Sequence, residues 1–338
     1  MKLAKIPVAE ASEMIPRLMK ADMVNRNAKI SKGDRCRLVP ILDERVDEVI
    51  AMGYEVVEGE AHSRERIPPQ VRIRQDLSDL PQDVLDALPD RWEYVGDIVI
   101  IRLDDNAGPY KGRIGKAYAE ELGMSTVCVD RGGVTGEFRH PDMEVIHGTK
   151  TESVRLENGI LYDLDVTKVM FASGNVDERE RMKRLDCTGE TVVDMFAGIG
   201  YFTLPIAKFA NPSKVYACEK NPESYSFLVK NVELNDVGDI VVPILSDNRD
   251  LDIGEHFADR ILMGYVQITS EFIPKALDMI KPGGMIHYHD TFYINEYEGK
   301  IRRIFDEACP GGYEILNIRE VKSFAPSVSH YVADIRIL

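Results

Sequence analysis

Cysteine is scarce in this 338-residue chain: Cys36, Cys128, Cys187, Cys218 and Cys309 lie far apart, with no CxxC pair and no histidines at ligand spacing. That argues against a disulfide framework or a zinc site and leaves reduced, mostly buried thiols. Long apolar runs are missing too. No window approaches the roughly 18 to 20 residues of a membrane helix, and the first twenty residues hold no apolar signal core, so the chain reads as soluble and cytoplasmic. Positive charge is the third shortage. Lysine and arginine number 42 against 57 acids, a formal charge of −15, which weighs against a partner bound by bulk phosphate attraction. Two basic stretches run against that balance: Arg64, Arg66, Arg72 and Arg74 beside Glu65, and Arg102, Lys111, Arg113 and Lys116 beside Asp104 and Asp105. There is no internal repeat and no low-complexity tract.

With 44% hydrophobic and 29% charged residues the chain is globular, and its length predicts two or three domains. Residues 1–62 read as a small α/β domain, with helices at 7–19 and 45–52 and strands at 36–42 and 54–57. The arginine-bearing stretch with Pro68-Pro69 reads as a linker. A strand-rich α/β domain follows over 66–168, with helices at 81–88 and 111–122, a buried strand at 94–103, and short alternating runs between 126 and 165. Residues 169–338 alternate strand and helix, which implies a parallel sheet, and end in a hairpin of 313–320 with 329–338.

The chemistry concentrates in this last part. Val192-Val-Asp-Met-Phe-Ala-Gly-Ile-Gly200 is an apolar strand ending in Asp194, then a glycine elbow through Phe196, Gly198 and Gly200, then a helix. Such an elbow brings backbone N–H groups and a helix N-terminus to a ligand. Glu219 ends the next strand, where a carboxylate can accept from both hydroxyls of a ribose, and Asp247-Asn248 end the third, facing an adenine edge. A dinucleotide fingerprint needs a small residue where Thr203 stands, and nothing continues toward a pyrophosphate site. With the terminal hairpin, this favours S-adenosylmethionine over NAD.

Upstream, Phe171-Ala-Ser-Gly-Asn-Val-Asp-Glu-Arg-Glu-Arg-Met182 opens a helix with Glu178, Arg179 and Arg181, cations able to hold the cofactor's carboxylate. After the fourth strand, nitrogen methyltransferases often place an asparagine that holds the nucleophilic nitrogen; here Gly264-Tyr265 takes its place. His287 and His289 share one face of a strand, but without a third ligand cluster they read as core or substrate-facing groups, not a metal site.

Asp194-Met-Phe-Ala-Gly-Ile-Gly200, Glu219-Lys220, Asp247-Asn-Arg-Asp250, Arg260-Ile-Leu-Met-Gly-Tyr-Val266, Glu271-Phe-Ile-Pro-Lys-Ala-Leu277 and His287-Tyr-His289 together resemble the archaeal tRNA wybutosine-synthesising aminocarboxypropyltransferases over 168–338. The first 165 residues resemble, less specifically, the accessory domains of the tRNA guanine-37 N1-methyltransferases. The resemblance implies a class I S-adenosylmethionine-dependent methyltransferase fold, Rossmann-like, with N-terminal α/β accessory domains. It implies transfer of the 3-amino-3-carboxypropyl group to C7 of 4-demethylwyosine in the tRNA-Phe anticodon loop, by a monomer that needs no metal. By position, Glu219 would bind ribose, Asp247 and Asn248 the adenine, and Arg179 the cofactor's polar tail. Ser173 would supply a serine contact, and Glu178 matches a glutamate resembling the base of the N1-methyltransferases. Two other readings stand beside this one: a guanine-37 N1-methyltransferase, which needs a nitrogen clamp, and a tRNA-binding protein with a degenerate pocket, suggested by the negative charge.

Overall fold

The computed structural model describes residues 1–61, 67–171 and 173–338, with Ser173 described through its backbone alone; Arg64 and Arg66 of the basic stretch lie outside the described residues. Two compact units divide the chain, Met1–Arg72 and Ile73–Leu338.

The first unit opens with β1 (Lys2–Pro7), a strand not expected from the sequence, which overlaps the expected helix over 7–19 only at Pro7. Leu3, Ala4 and Ile6 are buried, and α1 (Ala11–Lys20) starts only after the turn beyond Pro7. Then come β2 (Ser31–Lys32), β3 (Cys36–Pro40), α2 (Val46–Ala51) and β4 (Glu55–Glu58). The strands form an antiparallel sheet in the order β2-β3-β1-β4. Leu18 and Val49 bring the two helices onto its core with Ile6 and Val39.

Helix α3 (Pro69–Asp76) forms where the linker was expected, and α4 (Gln82–Asp86) follows. The expected single strand over 94–103 is a hairpin of β5 (Glu93–Val95) and β6 (Ile98–Ile101). Gly96, at φ +54°, turns the chain there, and a Cβ on it would meet the Val154 carbonyl oxygen at 2.6 Å. After α5 (Lys111–Leu122), β7 (Thr126–Thr135) and β8 (His140–His147) complete a four-stranded sheet, β5-β6-β7-β8. A separate antiparallel pair, β9 (Glu152–Glu157) and β10 (Ile160–Asp165), leads to α6 (Val176–Lys183).

The remainder alternates as expected: β11 (Thr191–Asp194), α7 (Thr203–Phe209), β12 (Lys214–Glu219), α8 (Pro222–Leu234), β13 (Val241–Leu245), β14 (Ala258–Met263), α9 (Ile273–Met279), β15 (Ile280–Tyr293), α10 (Tyr297–Ala308), β16 (Tyr313–Ala325) and β17 (Val328–Ile337). Seven strands make one sheet in the order β13-β12-β11-β14-β15-β17-β16. All run parallel except β17, which lies antiparallel between β15 and β16. Lys281-Pro-Gly-Gly284 forms a bulge within β15, across which the pairing with β14 jumps from Ala258–Ile280 to Arg260–Met285.

The stretches 66–168 and 169–338, separate in the sequence reading, share one core in which Ile98, Cys128 and Tyr162 pack with Val192, Leu204 and Leu228. Each fully buried side chain of this size contributes about 1.5–3 kcal/mol. Helix α8 also joins the β9–β10 pair through polar groups. Asn231 Oδ1 accepts from the Asp163 N–H at 2.7 Å and its amide donates to Asp163 O at 3.1 Å, while Asn235 pairs with Leu161 at 3.0 and 2.7 Å. Among the described residues no helix is long and apolar enough to cross a membrane.

Candidate active site

Strand order reverses between β11 and β14, which opens a crevice at the carboxyl ends of the central strands. The elbow after β11 occupies it. Asp194 is fully buried; it accepts from the Phe196 N–H at 3.2 Å and the Thr203 hydroxyl at 2.7 Å, and burial raises its carboxyl to about 6. Thr203, read as a departure from the dinucleotide fingerprint, therefore ties the first helical turn to the strand end. Gly198 has φ +58°, and a Cβ there would lie 2.7 Å from the Tyr201 ring. Its N–H donates to Glu219 Oε2 at 2.8 Å while the Asn221 N–H donates to Oε1 at 2.7 Å, so Glu219 is fixed across the elbow, its pKa raised by burial against these donors.

A cavity of about 820 Å³ opens from this crevice, with Phe196, Gly198, Glu219, Asp247 and Asn248 in its lining. The structure thus brings five of the eight expected site residues together. Asp247 accepts from Arg249 at 2.6 Å and Lys220 at 2.9 Å; the Arg249 hydrogen bond, with Lys220 behind it, holds its carboxyl far below the usual range despite burial. Asn248 donates to Met195 O at 2.6 Å, and its Oδ1 is buried with no partner among the described residues. Phe196 stacks on Tyr265 with ring centroids 5.1 Å apart. At Gly264, a Cβ would lie 2.7 Å from Phe202 Cε2, so the ring closes the space a larger residue would need.

Glu178 and Arg179 are not among the cavity's lining residues. Arg179, 2% exposed, lies under Phe171 with its Nε donating to Glu157 at 2.5 Å. The cation expected to hold the cofactor's tail thus pairs through Nε with a buried carboxylate and lies outside the cavity's lining. Glu178 is 0% exposed and is held by Arg181 at 2.7 Å and by Arg319. Burial would raise its carboxyl, but His289 and the two guanidiniums outweigh that and hold it down at about 2, a poor proton acceptor. Ser173 lies in the short turn Ser173–Asn175 that leads into α6, with its side chain outside the described residues.

Behind Glu178 stands a histidine pair. His289 Nε2 lies 3.5 Å from Glu178 Oε1, and His289 Nδ1 is 3.1 Å from Nε2 of His330, which lines the cavity. Burial pushes His289 down to about 3 and, with Lys322 adding to it, His330 down to about 4, so both are neutral at pH 7. His287 is tied instead to Asp334 at 2.5 Å and Arg260 at 2.7 Å. Among the described residues no group of His, Cys, Asp and Glu is arranged to hold a metal. His330, Lys322 and Arg139 were not singled out in the sequence, because β17, β16 and the β7–β8 turn carry no local motif; only the sheet order brings them to the crevice.

Residues 153–316 match the family described as the TRM5/TYW2 methyltransferase domain, and residues 73–151 the TYW2 N-terminal domain. The chain is 46% identical over 273 residues to the tRNA(Phe) (4-demethylwyosine(37)-C(7)) aminocarboxypropyltransferase of Pyrococcus horikoshii, covering 79% of this chain and 96% of that one. It is 32% identical over 338 residues to the tRNA (guanine(37)-N(1))-methyltransferase Trm5b of Pyrococcus abyssi, covering 98% of each. The crystal structure of P. horikoshii TYW2 in complex with MeSAdo matches with a TM-score of 0.72 at 44% identity, covering 80% of this chain and 99% of that one. The seven-stranded sheet is thus a class I S-adenosylmethionine-dependent methyltransferase fold, and the chain belongs to the tRNA wybutosine-synthesising aminocarboxypropyltransferases, a family related to the tRNA guanine-37 N1-methyltransferases.

Proposed function

We propose that this chain transfers the 3-amino-3-carboxypropyl group of S-adenosylmethionine to C7 of 4-demethylwyosine at position 37 of tRNA-Phe, in the anticodon loop. The observation that carries the reading is Gly264. A nitrogen nucleophile needs an amide to hold it at this strand end, and here the Phe202 ring fills the space such a side chain would take. A ring carbon needs no such clamp.

The cavity fits the donor. Glu219, fixed by two backbone N–H groups, has acceptor capacity left for both ribose hydroxyls. The orphaned Asn248 Oδ1 is a buried acceptor that an adenine amino group satisfies. Bound there, S-adenosylmethionine supplies a sulfonium whose attached carbons are all activated, the one transferred being the one held nearest the nucleophile. Phe196 and Tyr265 form an aromatic wall that excludes water beside the elbow.

Removal of the C7 proton falls to His330. In the tautomer where its Nε2 donates to His289 Nδ1, Nδ1 is left as an acceptor, and Glu178 orients His289 from behind without touching the substrate. His330→Gln lowers transfer by about 10²-fold or more while leaving S-adenosylmethionine affinity unchanged.

The deciding experiment gives the protein modified tRNA with S-adenosylmethionine labelled in the carboxyl or the methyl carbon. Carboxyl label enters the tRNA under this reading; entry of methyl label instead makes the chain an N1-methyltransferase. The same reading has the chain acting as a cytoplasmic monomer, so light scattering gives a mass near 38.1 kDa.

A further inference from the structure

Once Arg179 is committed to Glu157, the donor's amino-acid end needs another counter-charge. The cations lining the cavity are Arg91, Arg102, Arg139, Lys220, Arg249 and Lys322. Arg102 is paired with Asp130 at 2.8 Å, and Lys220 and Arg249 share Asp247. Arg91 is exposed at the rim. Arg139 and Lys322 remain, half-buried, and neither forms an ion pair with any described residue. Among the described residues Arg139 donates only a long contact to Met170 Sδ at 3.9 Å, and its Nε is buried with no partner there. Burial, then the charges of Arg139 and Arg179, lower the pKa of Lys322, with Glu93 opposing, as expected where cations crowd together with little negative charge among them.

The turn Ser173–Asn175 packs against β16 beside them. A Cβ on Gly174 would come within 3.1 Å of Lys322 Nζ, so the glycine lets the ammonium reach this turn. Asn175 lines the same cavity and carries a buried Oδ1 with no partner among the described residues. Cations without an anion and an acceptor without a donor therefore meet at one place. An α-amino acid group, carboxylate and ammonium on one carbon, satisfies both.

Resting on the reading of the cavity as an S-adenosylmethionine site, we propose that Lys322 and Arg139 seat the α-carboxylate of the aminocarboxypropyl group and that Asn175 Oδ1 accepts from its α-ammonium. This seat holds the group that is transferred, so it fixes which carbon of the sulfonium faces the nucleophile. A tRNA phosphate offers the two cations similar chemistry but leaves Asn175 Oδ1 unsatisfied.

The test compares S-adenosylmethionine with its decarboxylated analogue, which keeps the adenosine, sulfonium and amine, by calorimetric titration of the full-length protein. The wild type binds the analogue about 10- to 100-fold more weakly. Lys322→Gln and Arg139→Gln each lose most of that preference by weakening S-adenosylmethionine alone, and Lys322→Arg keeps it. Unchanged analogue affinity in the variants certifies that they are folded. An undiminished preference for S-adenosylmethionine in both glutamine variants overturns the seat, and if tRNA affinity falls in them instead, the anion is a phosphate. Parallel loss of both ligands also overturns it. Failure of the wild type to bind either ligand overturns the proposed function along with the seat.

Discussion

Arg179 and Lys322 are both cations near the crevice, and what separates them is the group each one faces. Arg179 is 2% exposed against Glu157, which also accepts from Arg155 at 3.0 Å. Arg179→Ala strands a buried carboxylate with one partner and costs about 3 kcal/mol. It shows as a lower Tm, with S-adenosylmethionine affinity changed less than about threefold. The neighbouring histidines add a pH dependence. Unfolded histidine takes its proton near 6.5, whereas folded His330 resists to about 4 and His289 to about 3, so they draw stability down as pH falls below 6.5. Asp194, raised to about 6, acts oppositely, binding its proton in the folded state first. His330→Gln removes one histidine from this balance. Its unfolding free energy should therefore fall less steeply than the wild type's between pH 6 and 5, by up to about 1.4 kcal/mol per pH unit. Denaturant titrations at the two pH values measure the difference, and parallel slopes would count against a neutral buried His330.

The elbow between β11 and α7 was the most legible element, because a strand, two glycines and a helix are all local in sequence and Glu219 lies at the next strand end. Gly198→Ala must hold an L-residue at φ +58° with its Cβ against Tyr201, a strain of about 1–2 kcal/mol. The displaced N–H releases Glu219, so S-adenosylmethionine affinity falls at least tenfold, read by the same calorimetry. Gly264→Asn restores the residue type of nitrogen methyltransferases, but its Cβ collides with Phe202. It yields a less stable protein with no methyl incorporation into tRNA. What stayed illegible was set by distant partners. The turn at Gly96 is dictated by the Val154 backbone, and the commitment of Arg179 by Glu157, 22 residues away. Glu178 looked like a base in its local motif, and only Arg319, 141 residues further on, reveals a carboxylate kept ionised.

Charge at the scale of the whole molecule is more evenly cancelled than the sequence suggests. In the basic stretch 101–118, Arg102 pairs with Asp130, Lys111 with Glu144, and Arg113 with Asp79, acids remote in sequence. Lys116 pairs with Glu120 at 3.8 Å, so all four cations of that stretch are engaged and it offers little free charge to phosphates. The logarithm of tRNA affinity against that of salt should therefore be shallow, a slope of roughly −1.5 to −3, corresponding to about two to four phosphate contacts. A slope near −7 would mean that a broad basic face exists. The unit Ile73–Leu338 holds the whole cavity, both family matches begin within it, and the aminocarboxypropyltransferase relative aligns over only 79% of this chain. A chain starting at residue 73 should keep S-adenosylmethionine affinity within about twofold, with any loss confined to tRNA binding. The amide pairs of Asn231 and Asn235 bear on how that unit holds together. Four helical residues advance about 6 Å and two strand residues about 6.7 Å, so two asparagines a turn apart keep step with the outward backbone groups of Leu161 and Asp163. Helix α8 thus imitates a third strand. The edge of β10 is sealed against recruitment by another chain, and its amide protons exchange with solvent only when the catalytic sheet itself opens.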